Sequence, residues 1–211
     1  NLEPLIQSIP VAPLKLASLE GCRTLADQVN NYLVSFRHES PTNVGQADSL
    51  QGYCADSYLL ECECPRFGSG EGKGVLKESV RGCDLFIMVD VTNYSLTYRV
   101  NGYENHMSPD NHYQDLKRII SAADGKARRI NVIMPFLYEG RQHKRSKRES
   151  LDCALMLQEL VDMGVSNILT FDAHDPRVSN SIPLHGFDSF MPTYQFLKAL
   201  VNSVPDFVID N

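Results

Sequence analysis

The chain has 211 residues, 43% of them hydrophobic and 22% charged, with a formal net charge of −6. This is the make-up of an ordinary globular protein, long enough for a proper core in one large or two small domains. No low-complexity tract occurs, no apolar run is long enough to span a bilayer, and the negative balance argues against nucleic acid as a partner.

Residues 1–18 hold three prolines and apolar residues without clear period, and read as an extended arm. Leu25, Ala26, Val29 and Leu33 give helical spacing over 21–36. Residues 38–56 are polar, with Pro41, Gly45 and Gly52, and read as a loop. A strand is expected over 57–64, then a turn over 65–74, which holds four glycines. The stretch 84–91 is apolar on both faces and predicts a buried strand. Residues 95–107 show little pattern. Ser108 and Pro109 suit the N-cap and first position of a helix, whose stripe is Leu116, Ile119, Ile120 and Ala123.

Next come a strand over 129–136, a helix over 149–164 and a strand over 167–171. A last helix is expected over about 193–203, after Pro192, and 206–210 looks like a strand beginning. Strands alternating with helices predict an α/β fold, a mainly parallel sheet with helices on both faces.

The start of the chain, Asn1-Leu-Glu-Pro-Leu5, lacks a basic region followed by an apolar one, so no secretory signal is expected. Six scattered cysteines need form no disulfide framework, and a reducing cytoplasm is the expected compartment. Cys62 and Cys64 have no second Cys or His pair at zinc-site spacing. In alternation with Leu60 they share one face of a strand and read as core residues.

The most unusual stretch is Arg141-Gln-His-Lys-Arg-Ser-Lys-Arg148, with five fixed positive charges; without them the rest of the chain stands at −11. Such a concentration in an acidic chain suits a particular anionic ligand, although a solvated charged loop is an equal reading from the residues alone. It lies between the strand over 129–136 and the helix over 149–164. The strand over 167–171 ends in Asp172-Ala-His174-Asp175. Strand, cationic loop, helix, strand and then carboxylate and imidazole place ligand groups where open α/β sheets bind ligands. A carboxylate and an imidazole two residues apart suit a divalent cation, held directly or through water, although from the residues alone a structural histidine capping a loop is the commoner reading. His106, His112 and His185 lack partners at ligand spacing. No phosphate-binding P-loop and no Gly-x-Ser-x-Gly nucleophile motif occurs.

Three stretches carry a resemblance. They are Arg66-Phe-Gly-Ser-Gly-Glu71 with Glu78-Ser-Val-Arg-Gly82 and Asp84-Leu-Phe-Ile-Met88; Ile133-Met-Pro-Phe-Leu-Tyr-Glu-Gly-Arg-Gln142 with its basic loop; and Leu169-Thr-Phe-Asp-Ala-His174. In that order the chain, from about 19 to 211, resembles the N-terminal part of the ribose-phosphate pyrophosphokinase (phosphoribosyl pyrophosphate synthetase) family.

The resemblance implies the phosphoribosyltransferase-like fold, with an ATP-binding domain over 19–211. The ribose-phosphate-binding domain, with its Asp-Asp…Thr-Gly-Gly-Thr loop, is expected to be absent from these residues. It implies transfer of the diphosphoryl group of ATP, with Mg2+ as cofactor, to ribose 5-phosphate. Arg141 and Gln142 would contact ATP, with Lys144, Arg145 and Arg148 folded over the triphosphate as catalytic cations. Asp172 and His174 would lie by the metal. Phe67, Ser69 and Glu71 would meet the adenine of a neighbouring subunit, so a homo-oligomer, dimer or hexamer, is expected. The chain departs from the family pattern at Ser69, His143, Ser150 and Asp175. The departures and the missing second domain leave open an alternative: a non-catalytic homologue that regulates true synthetase subunits.

Overall fold

The structure is a computed structural model that describes residues 11–39 and 52–204. Its centre is a six-stranded sheet, all parallel, in the order β10-β9-β8-β5-β1-β2. These strands are β1 (Leu14–Ser18), β2 (Leu59–Leu60), β5 (Asp84–Met88), β8 (Arg129–Ile133), β9 (Val165–Phe171) and β10 (Gly186–Phe190). Two antiparallel pairs stand outside it: β3 (Cys62–Glu63) with β4 (Val75–Leu76), and β6 (Thr97–Val100) with β7 (Tyr103–His106).

Helix α1 (Arg23–Glu39) covers one face, where Cys22 and Ala26 pack on Leu16 and Met88. Helices α2 (Pro109–Ala122) and α3 (Asp152–Asp162) cover the other. There Leu116, Ile119, Cys153, Leu157 and Leu160 pack on Ala17, Leu85, Ile87, Val132 and Ile168, all of them at most 1% exposed. Adjacent strand residues thus feed opposite cores, as the period of two requires. Helix α4 (Thr193–Ser203) follows β10 and buries none of its residues. The expected α/β class, with a parallel sheet and helices on both faces, is the observed one.

Several boundaries differ from expectation for identifiable reasons. The arm expected over 1–18 is corrected at its end: Leu14–Ser18 is a central strand between β2 and β5. With both faces covered, its five residues show no alternation, and the prolines before it mask the start. Residues 1–10 of that arm lie outside the described residues, as do 40–51 of the expected loop and the strand expected over 206–210.

The single strand expected over 57–64 divides at Glu61. Leu59 and Leu60 pair with β1, whereas Cys62 and Glu63 leave the sheet to pair with Leu76 and Val75. Cys62 is buried and Cys64 packs against the same core, as expected of them. The patternless stretch 95–107 contains the β6–β7 hairpin. Its turn is Asn101-Gly102, with φ of 49° and 86°, the pair of positive values a type I′ turn requires. That dipeptide is a hairpin signal, but the strands are largely exposed and lack an apolar face to announce them.

The N-cap holds as expected, with the Ser108 hydroxyl accepting from the Asn111 backbone N–H. Of the histidines left aside, His112 is buried with Nε2 2.6 Å from the Asn93 carbonyl, and His106 stacks on Tyr94.

Candidate functional site

At the carboxyl ends of β8 and β9 the chain makes two excursions that meet. After β8 the backbone stays tied to its neighbour through Met134 N–H to Leu169 O (2.8 Å) and Phe171 N–H to Pro135 O (3.3 Å). Tyr138 then fixes the root of the cationic loop. Its ring stacks on Tyr113 of α2 at 4.5 Å, and its hydroxyl donates to Asp110 at 2.6 Å. Glu139 follows with a φ of 55°, uncommon for a residue with a side chain. Burial pushes its carboxyl up, with Asp152 and Asp110 adding to the effect.

Gln142 closes the loop's base. Its backbone N–H donates to Glu139 O, its side-chain amide to Ser150 O, and its carbonyl accepts from Cys153 N–H at the start of α3. Its amide nitrogen is therefore engaged within the loop. Lys144, Arg145, Lys147 and Arg148 are exposed, and among the described residues none of them forms an ion pair. Four uncompensated cations close together raise the local potential and favour a polyanion.

The second excursion begins at Asp172. Its φ is 46°, and its N–H donates to Phe190 O of β10 at 2.9 Å. The next N–H, of Ala173, is held by the Ser189 hydroxyl. This turn brings Asp172, Ala173 and His174 against Arg141. The three line one cavity of about 340 Å³ with Arg141, Gly140, Leu137 and the aromatic rings of Phe136 and Phe171. Sequence reasoning placed Arg141, Asp172 and His174 at the ligand-binding edge of one sheet; the fold gives them one pocket. It missed Phe136 and Phe171, 45% and 48% exposed, because both read as ends of buried strands.

Asp175 caps a short 3-10 turn (Pro176–Ser181), accepting from Arg177 N–H. The Arg177 guanidinium beside it, with that backbone N–H, holds its carboxyl well below the usual carboxylate range.

The stretch 67–71 is placed elsewhere. It joins β3 to β4, closed by Phe67 N–H to Glu71 O at 2.7 Å, with Phe67 55% exposed. The Ser69 hydroxyl donates to the Glu71 carboxylate at 2.8 Å, which pre-sets that carboxylate within the loop. The β6–β7 hairpin buttresses the loop: Asn101 N–H donates to Gly68 O. Arg66 lies over the Tyr98 ring and forks onto buried Asp115. None of Phe67, Ser69 or Glu71 lines the pocket of Arg141 and His174.

The chain matches the family described as the N-terminal domain of ribose phosphate pyrophosphokinase over residues 14–164, from β1 to the end of α3 and its turn. It is 29% identical to the ribose-phosphate pyrophosphokinase of Corynebacterium ammoniagenes over 167 residues, which is 78% of this chain and 41% of that protein. The same figures hold for the enzyme of that name from Bacillus cereus. The chain thus spans about two fifths of the length of these curated relatives. It superposes on phosphoribosylpyrophosphate synthetase from Mycobacterium smegmatis with a TM-score of 0.66, over 90% of this chain and 52% of that one. At 20% identity, that likeness shows a shared fold. The matched range contains both the 67–71 loop and the cationic loop, so the chain belongs to the family of the N-terminal domain of ribose phosphate pyrophosphokinase.

Proposed function

We propose that the whole protein is a ribose-phosphate diphosphokinase, and that these residues are its ATP-binding part. The observation that carries this reading is the convergence of Arg141, Asp172 and His174 on one cavity at the root of a loop with four exposed cations. The C1 hydroxyl of ribose 5-phosphate would attack the β-phosphorus of ATP. The bond from that phosphorus to the oxygen of the α-phosphate breaks, AMP leaves, and the hydroxyl proton is released. Charge spreads over phosphate oxygens along the way, so catalysis is mostly positioning and charge stabilisation.

Arg141 suits a fork onto phosphate, while Lys144, Arg145 and Arg148 act as point charges or forks above the chain of phosphates. Asp172 and His174 would hold Mg2+. Two donors on one pocket wall fit an ion that keeps several waters and reaches the substrate phosphates. When bound, that ion neutralises charge on the phosphate oxygens.

Phe67 offers a ring face for a purine and Glu71 an acceptor for its exocyclic amine. They do not line the Arg141 pocket, which suits donation to a neighbouring copy, and hence a homo-oligomer. The reading is tested by AMP release from full-length protein, ribose 5-phosphate and MgATP. Release that depends on ribose 5-phosphate supports it. No release overturns it in favour of a regulatory homologue that binds synthetase subunits.

A further inference from the structure

His143 and Asp175, on different segments of the chain, meet in the fold. His143 is the first residue past the closed base of the cationic loop. Its Nδ1 lies 3.1 Å from the Arg141 carbonyl, and its Nε2 3.6 Å from Oδ2 of Asp175. Its ring stands edge-on to that of His174, with centroids 5.0 Å apart and planes at 60°. The His143 and Asp175 side chains are each only 12% exposed, whereas residues 144–148 are all exposed. On the far side, Asp175 is immobilised. It accepts the backbone N–H of Arg177 and takes that guanidinium in a fork, Nε to Oδ1 at 2.9 Å and Nη2 to Oδ2 at 2.6 Å.

We propose that His143 and Asp175 form a latch tying the cationic loop to the His174 segment. The base at Gln142 alone gives the loop one anchor, about which the residues beyond it pivot. Contact with a carboxylate fixed to the end of β9 gives it a second. Two anchors on adjacent strand ends set how far Arg141 and the cations behind it stand from the Asp172–His174 wall. Both are positioning residues: they act through Arg141 and the loop and touch no reacting atom. The kinetic consequence rests on the proposed function; the mechanical one does not.

The loop carries its own reporter, because Arg141, Lys144, Arg145, Lys147 and Arg148 are all tryptic sites. Native full-length protein is digested briefly with trypsin, and cuts within 141–148 are timed by mass spectrometry. The set is the parent, His143→Ala, Asp175→Asn and the double variant. Asparagine caps a turn about as well as aspartate, so Asp175→Asn removes the charge while keeping the cap.

Neighbouring side chains couple strongly enough that each single variant should be cut about three- to tenfold faster. The double should be no faster than the faster single. In the AMP-release assay the singles should raise KM for MgATP, with an unchanged melting temperature. Unchanged cleavage in both singles overturns the latch, and so does a double whose effect is the product of the two. A parent that releases no AMP overturns the proposed function instead, and the cleavage series still decides the latch.

Discussion

Replacing Asp115 by asparagine should cost the fold about 3 kcal/mol and loosen the 67–71 loop. Asp115 sits on α2, 4% exposed. Its Oδ1 accepts from Arg66 Nη1 and from Arg118 Nη1, each at 2.6 Å, and its Oδ2 from Arg66 Nη2 at 2.8 Å. The side chains are 6% exposed for Asp115, 10% for Arg66 and 23% for Arg118.

Asparagine has the same shape. It removes the charge and turns an NH2 towards a guanidinium, donor against donor. Breaking a buried pair by removing one partner typically costs about 3–5 kcal/mol, because the other charge stays desolvated. Arg118 can turn to water and escape most of that cost, whereas Arg66, held against the face of the Tyr98 ring and only 10% exposed, cannot. The low end of the range is therefore expected. In a chain of this size it corresponds to a melting point lower by roughly 6–12 °C.

Equilibrium urea unfolding at neutral pH and physiological salt measures it, with the slope against urea unchanged. Hydrogen exchange of the Phe67 amide, now bonded to Glu71, should quicken in the same variant. A loss below about 1 kcal/mol, the level of an exposed ion pair, would refute the claim that this buried pair anchors the loop.

Arg141→Ala and Lys144→Ala should each lower AMP release about 100-fold while shifting stability by no more than about 0.5 kcal/mol, since both lie on a loop; unchanged turnover would remove the loop from the reaction. Burial pushes the thiols of Cys62 and Cys153 up to about 11 and those of Cys22 and Cys64 up to about 12, from an ordinary 9.0. At pH 8 these four should therefore resist alkylation in native protein. Their folded values exceed the unfolded one, so the stability they contribute is full below pH 9 and declines between pH 9 and 12, which unfolding across that range measures. Full-length protein should self-associate, as a loop that serves a neighbouring copy requires; light scattering that shows a strict monomer in an active preparation would contradict this.

The sequence alone determined the elements whose residues contact near neighbours in the chain. Helices α2, α3 and α4 are announced by apolar stripes or by Pro192, and the cap at Ser108 by chemistry contained within four residues. The buried strands β5, β8 and β9 were legible as short apolar runs because both of their faces are covered. The family-like stretches marked Arg141, Asp172 and His174, since a charged cluster in an acidic chain and a carboxylate at a strand end stand out without any fold.

Only the tertiary structure decided what depends on contact between distant segments. Leu14–Ser18 is a strand because β2 and β5 flank it, and the break at Glu61 exists because Cys62 and Glu63 pair with Leu76 and Val75 of β4 and not with β1. Arg141 shares a pocket with His174 because parallel pairing of β8 with β9 brings their carboxyl ends together, 33 positions apart in the chain. By the same pairing His143 reaches Asp175, a contact that local periodicity cannot encode because it depends on the register between the two strands.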